Sequence, residues 1–221
     1  MSPMKMAGTA AVLALAALLA ACGGTPTRYY TLAEPGAAAS GQRATADTAA
    51  YAIEMAPVAM PERFARPQLV VRRGAGPLQG EKKAEDRSQA EVEVLEQSRW
   101  SSSFEYELRD ALGTAVAQRL SAFDATQAGR PRGLPVYRIV VQMRQFDALP
   151  GERIDSAFGW SLRRSDGDAL LTCQMRLSES IAGGMDGVAI GAQRITGRLA
   201  DEIARNVSAL AANQPARCPA A

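Results

Sequence analysis

The 221-residue chain contains no histidine. That absence removes the commonest general base, the usual zinc ligand and every serine or cysteine triad built on imidazole. Most hydrolytic mechanisms are thereby closed. Strong charge of either sign is missing as well: 25 Lys and Arg stand against 23 Asp and Glu, which leaves no basic footprint for a nucleic-acid partner. Aromatic residues are few, at 5% of the chain, and there are only three cysteines. The most apolar run, Ala10 to Ala21, falls well short of the ~20 residues that span a bilayer core of about 30 Å.

What that run does offer is a secretory signal: one charge, Lys5, an apolar stretch, and then Leu19-Ala20-Ala21-Cys22. Small residues before a cysteine look like a bacterial lipobox, so residues 1–21 are expected to be removed and the Cys22 thiol to carry diacylglycerol. No other cofactor is expected. Acyl chains contribute about 0.8 kcal/mol per buried methylene, and a multiply acylated terminus holds stably where one chain would not. Gly23 follows the cysteine where an aspartate would resemble an inner-membrane retention signal, which favours the outer membrane. Loss of Lys5 leaves 24 basic residues against 23 acidic ones, so the mature part is nearly neutral.

Residues 22–28 form a tether that reaches about 25 Å at most when extended, and residues 29–212 suit a single domain followed by a tail, 213–221. Two cysteines remain after lipidation. Cys173 and Cys218 either form a disulfide, which an oxidising periplasm permits, or stand apart as a small core residue and a loose tail thiol.

Along the chain, Tyr29–Leu32 and Tyr51–Val58 read as strands, Gln68–Arg72 as a short third, and Glu91–Val94 as a half-buried edge. Residues 33–50 read as a flexible connection and 79–90 as a solvated loop. Ser102-x-x-Glu105 predicts a capping box that opens a helix with the stripe Phe104, Leu108, Leu112, Val116 and Leu120. Tyr137, Ile139, Val141 and Met143 alternate with polar residues, Ile154, Phe158, Trp160 and Leu162 line the next strand, and Asp166-Gly167 turns into a third that carries Leu171, Cys173, Met175 and Leu177. A final helix, expected to be capped by Asp186, carries Val188, Ala192, Ile195, Leu199, Ile203, Val207 and Leu210. Apolar faces of this kind bury only against one another, which predicts an α+β fold: a two-layer sandwich of a mostly antiparallel sheet with two amphipathic helices on one face.

Three fragments imitate chemistry. Gly74, Gly76 and Gly80 with Lys82 lack the spacing and the following Ser or Thr of a phosphate loop, and read as turn glycines. Asp166 and Asp168 flank a tight turn, where solvated aspartates are expected rather than a metal site. Asn206-Val207-Ser208 matches a glycosylation sequon inside the last helix and carries no weight in a bacterial-type lipoprotein.

The pieces together are Cys22, Arg28-Tyr29-Tyr30-Thr31-Leu32, Pro57-Val58-x-Met60-Pro61, Arg66-Pro67-Gln68-Leu69-Val70 and Arg99-Trp100. This set resembles the ABC-type transport auxiliary lipoproteins, of which the paraquat-inducible protein C type is the best known, over essentially the whole mature chain. The resemblance implies a non-catalytic accessory subunit at the outer membrane. Its partners would be a mammalian-cell-entry (MCE) protein and inner-membrane components that move phospholipid or similar apolar molecules, and the outer-membrane lipid itself. A homo-oligomer would suit an oligomeric partner. Two other readings stand beside it, a lipid-binding periplasmic module and a structural lipoprotein of a secretion or assembly machine.

Arg66, Gln68, Arg99 and Trp100 are the motif residues with the chemistry of an interface. For Trp100 the favoured reading is internal, because it precedes Phe104 by four residues on one stripe; Arg99 would then fix a loop.

Overall fold

A computed structural model describes residues 25–34, 44–72, 91–167 and 170–219. Cys22, Asp168, Lys82 and the glycines at 74, 76 and 80 lie outside the described residues.

The strands are β1 (Arg28–Tyr30), β2 (Ala52–Met55), β3 (Gln68–Arg72), β4 (Val92–Trp100), β5 (Phe123–Asp124), β6 (Val136–Leu149), β7 (Arg153–Arg164) and β8 (Leu170–Ser180). Helices α1 (Phe104–Leu120), a single turn α2 (Ala125–Ala128) and α3 (Met185–Ala211) complete the order. The fold is α+β, as expected, but the strands divide into two sheets, β1-β4-β3 and β5-β2-β6-β7-β8. The second ends in the antiparallel meander β6-β7-β8, while β2 joins β5 and β6 in parallel and β1 joins β4 in parallel. Those parallel entries depend on partners about 70 residues away, which local alternation does not report.

The meander follows its period. Ile139, Val141 and Met143 on β6 and Ile154, Phe158, Trp160 and Leu162 on β7 are all buried. A bulge between Met143 and Gln145 shifts the parity of β6, so Phe146 and Ala148 turn inward beyond it. Helix α3 lies across β7 and β8 with Val188, Ala192, Ile195, Leu199, Ile203 and Val207 buried. Its approach is close: a Cβ on Gly191 would stand 2.9 Å from Cδ1 of Ile154 on β7. Helix α1 packs against α3 and β2.

Where the two sheets meet α1, four aromatic rings form one cluster. Trp100 stacks on Phe104 at 5.0 Å, Phe104 meets Phe146 at 5.2 Å, and Phe64 meets Phe146 at 6.1 Å. Such pairs contribute about 0.5–1.5 kcal/mol beyond their burial.

Both expected helix caps differ from the structure. Helix α1 starts after Ser103, which makes no side-chain cap, and no Ser102–Glu105 capping box forms. Helix α3 starts after Gly184 rather than being capped by Asp186, which lies in its first turn. Asp186 is drawn to Arg28 and Tyr30, and at α1 it is Glu107, two residues beyond Glu105, that bonds Thr31 and Leu32. Strand β2 is also shorter than Tyr51–Val58, and β4 is longer than Glu91–Val94, taking in Arg99 and Trp100.

Cys173 on β8 and Cys218 in the tail are joined by a disulfide, with Cα atoms 5.3 Å apart. The buried Asn206 supports the same closure. Its amide donates to the Arg217 carbonyl at 2.9 Å, and its oxygen accepts the Trp160 indole N–H at 3.0 Å.

Candidate functional site: the fastening of the anchor segment

The segment from Arg28 to Glu34 inserts between the helices. Leu32 is its apolar prong, 1% exposed in the main core. Burial of a leucine of this kind contributes about 1.5–3 kcal/mol. Around it, polar groups from both helices hold the chain.

From α1, Glu107 accepts the Leu32 N–H at 3.0 Å and the Thr31 hydroxyl at 2.9 Å, and the Ser101 hydroxyl also donates to it. From α3, the Gln193 amide donates to the Thr31 and Ala33 carbonyls at 2.9 and 3.1 Å. Arg119 binds Glu34 at 3.0 Å and Asp201 on α3. Burial opposes charge on Arg119, but hydrogen bonds to Asp201 and Glu34 outweigh it and hold the guanidinium above its ordinary value.

At the entry, Arg28 reaches Asp186 at 2.7 and 2.9 Å, and the Tyr30 hydroxyl donates to the same carboxylate at 2.9 Å. The Arg28 guanidinium first, and the Tyr30 hydroxyl second, hold the Asp186 carboxyl below the usual aspartate range. Tyr30 moves upward, through partial burial and through its bond to Asp186.

The sequence motifs meet at this place. The Ser101 N–H donates to the Tyr30 carbonyl, the Trp100 N–H to the Pro67 carbonyl, and the Phe104 N–H to the Arg66 carbonyl. The three segments thus share one backbone network at the head of α1, satisfying one of its orphan donors.

Of the four singled-out residues, Trp100 is buried in the aromatic cluster rather than presented to a partner. Arg99 and Gln68 lie opposite each other across β4 and β3, and both bond Glu96. Arg66 is half-buried, its Nε without a hydrogen-bond partner among the described residues. Sequence reasoning missed Glu107, Gln193 and Arg119. Each sits on the polar side of an amphipathic helix, where nothing local separates a fastening from a solvated residue.

A cleft of about 720 Å³ opens beside α1, lined by Arg109, Asp110, Gln118, Asp124 and Thr126 among others. Phe123 supplies its one large apolar side chain among the described residues. Its walls are polar and apolar in about equal measure, with Ala117, Ala122 and Ala128 beside the polar groups. Among the described residues no three acidic or cysteine side chains cluster to hold a metal ion.

The described residues thus form an α+β fold whose segment Arg28–Glu34 is bonded to both long helices. No helix among the described residues is long and apolar enough to cross a membrane. Residues 30–204 match the family of ABC-type transport auxiliary lipoprotein components, and the chain belongs to that family. Its architecture is shared with the crystal structure of an uncharacterised protein, at 16% identity and a TM-score of 0.62, covering 83% of this chain and 99% of that one. A protein from Xanthomonas campestris is similar at 10% identity and a TM-score of 0.49, over 69% of this chain and 81% of that one. A lipoprotein from Caulobacter crescentus is similar at 14% identity and a TM-score of 0.33, over 50% and 84%. None of the curated proteins matches significantly.

Proposed function

We propose that this protein is a non-catalytic subunit, lipidated on Cys22 and held at the outer membrane, that docks an MCE-type partner of an ABC transport system moving phospholipid or a similar apolar cargo. The observation that carries the reading is the fastening of Arg28–Glu34 to α1 and α3. A domain that grips its own chain six residues after Cys22 moves with that anchor, so force between membrane and partner passes into packed structure close to the membrane. Family membership supports the transport role, and the absence of histidine supports a role without imidazole chemistry.

The test is Cys22→Ala, or deletion of residues 23–26, which leaves Thr27 and Arg28 in place, expressed in the native host. Detergent sensitivity should rise to the level of the deletion strain while the purified domain keeps its melting temperature. Full resistance from a soluble form refutes the reading. Co-purification of MCE components with the tagged protein is expected, and their absence with a different secretion machine recovered would favour the structural-lipoprotein alternative.

A further inference from the structure

The three-stranded sheet has one face turned to the core and one turned out. Tyr30, Trp100, Leu69 and Val71 point inward, partly or fully buried. Strand register places Tyr29, Arg99 and Gln68 in one row across the other face, Val94 opposite the buried Val70 in the next, and Val92 opposite Arg72 beyond it, so the exposed part of this face is carried by β1 and β4. Tyr29 is 66% exposed, Val92 44% and Val94 37%. Seven large apolar side chains are exposed among the described residues, and three of them share this face, while the other four are scattered over α1, β6, β8 and α3.

The charges on this face are already compensated. Arg99 bonds the Glu96 carboxylate at 2.9 Å and Arg72 bonds Asp147 at 2.8 Å, so bringing the face against a less polar phase strands neither guanidinium. The direction of the chain matters as much. Strand β1 runs parallel to β4, with Arg28 opposite Ser98, and the Thr27 hydroxyl donates to Gln97 at 2.8 Å. Chain leaving β1 toward the N-terminus therefore sets out along β4 from its Trp100 end toward Val94 and Val92. From Thr27 to Cys22 an extended chain covers at most about 20 Å.

We propose that the outer face of this sheet is a membrane-contact surface, with Tyr29, Val94 and Val92 seated at the headgroup level of the leaflet that holds the Cys22 acyl chains. Tyrosine is enriched at that depth, where its ring meets the acyl boundary and its hydroxyl stays wet. Contact at a second point, added to the acyl chains, fixes the orientation of the domain as well as its distance from the bilayer. The helices and the large sheet then face the periplasm. This inference rests on the lipid anchor proposed above.

The experiment uses the full-length lipidated protein in phosphatidylethanolamine–phosphatidylglycerol vesicles. Single cysteines are introduced as Tyr29→Cys and Val94→Cys, with Val140→Cys on β6 and Ile190→Cys on α3 as controls, and each is labelled with nitrobenzoxadiazole. The native thiols are occupied by lipid and disulfide. Doxyl lipids should quench the probes at 29 and 94 at least about twofold more than those at 140 and 190. Equal quenching at all four, in protein whose mass shows the acyl chains, overturns the inference and leaves the anchor intact. A mass without acyl chains removes the anchor and the contact surface together. Should Tyr29→Cys perturb β1, the hairpin position Val94→Cys reads the same contact alone.

Discussion

In the meander, residues pair with neighbours a short way along the chain: Trp160 with Cys173, Val141 with Trp160, each strand with the next. Around β1 the fastenings are long-range and polar. Leu32 and Glu107 are 75 residues apart, Arg28 and Asp186 are 158, and Thr31 and Gln193 are 162. The meander could collect much of its structure from local hairpins. The Arg28–Glu34 segment has no such local partner, so loop closure must be compensated before its distant contacts contribute. The difference teaches that this segment is joined to the core by distant polar groups, with the join left partly exposed to solvent.

The comparison breaks most sharply at Leu32. Leu32→Ala should destabilise by about 2–5 kcal/mol, the range for a buried leucine, and match Leu199→Ala in the centre of α3. Equal losses in urea denaturation would make the anchor segment integral to the core; a loss near zero at Leu32 would make it an appendage. Next is the covalent closure. The 45-residue separation of Cys173 and Cys218 corresponds to roughly 4 kcal/mol of chain entropy, so Cys218→Ala should lower the melting temperature strongly and abolish the effect of reductant.

Smaller again is the loss of the polar hub. Glu107→Ala leaves the Leu32 N–H and the Thr31 hydroxyl without their acceptor, at a cost of about 1–3 kcal/mol, with hydrogen exchange at residues 31–33 rising before that of β7. The smallest effect concerns pH. Asp186 has its folded value depressed below the ordinary 3.8, chiefly by Arg28, so its contribution is present above that value and disappears as pH falls through the folded one. Asp155, held down first by Ser178, and Glu54, held down first by Arg130, act in the same direction in the large sheet. Asp186→Asn should therefore flatten only part of the acid limb of stability against pH, measured by thermal melts between pH 2 and pH 6. An unchanged limb would place the acid response in the large sheet, with Asp155 and Glu54.

Legibility followed the same division. The stripes of α1 and α3 and the alternation of β6 to β8 were readable because burial of one face imposes a period on the residues themselves. The bulge after Met143 was not, because a parity change leaves no compositional mark. The capping residues were misassigned because Ser102-x-x-Glu105 and Asp186 satisfy a local pattern, whereas α1 begins one residue later, after Ser103, and Asp186 is engaged by Arg28 and Tyr30 from 158 and 156 residues away. The motif residues were visible as a set, yet their common purpose, a backbone network joining Tyr30, Pro67 and Arg66 to the head of α1, belongs to three segments spread over more than 70 residues.

By itself the sequence determined the α+β class, the runs that form the two long helices and the meander strands, and which side of each is apolar, since these follow from hydrophobic periodicity within one stretch of chain. Only the tertiary structure decided that the strands divide into two sheets, that Cys173 meets Cys218, and that Arg28–Glu34 is gripped by α1 and α3. Those outcomes depend on which surfaces remain uncovered once the core has formed, and no single segment carries that information.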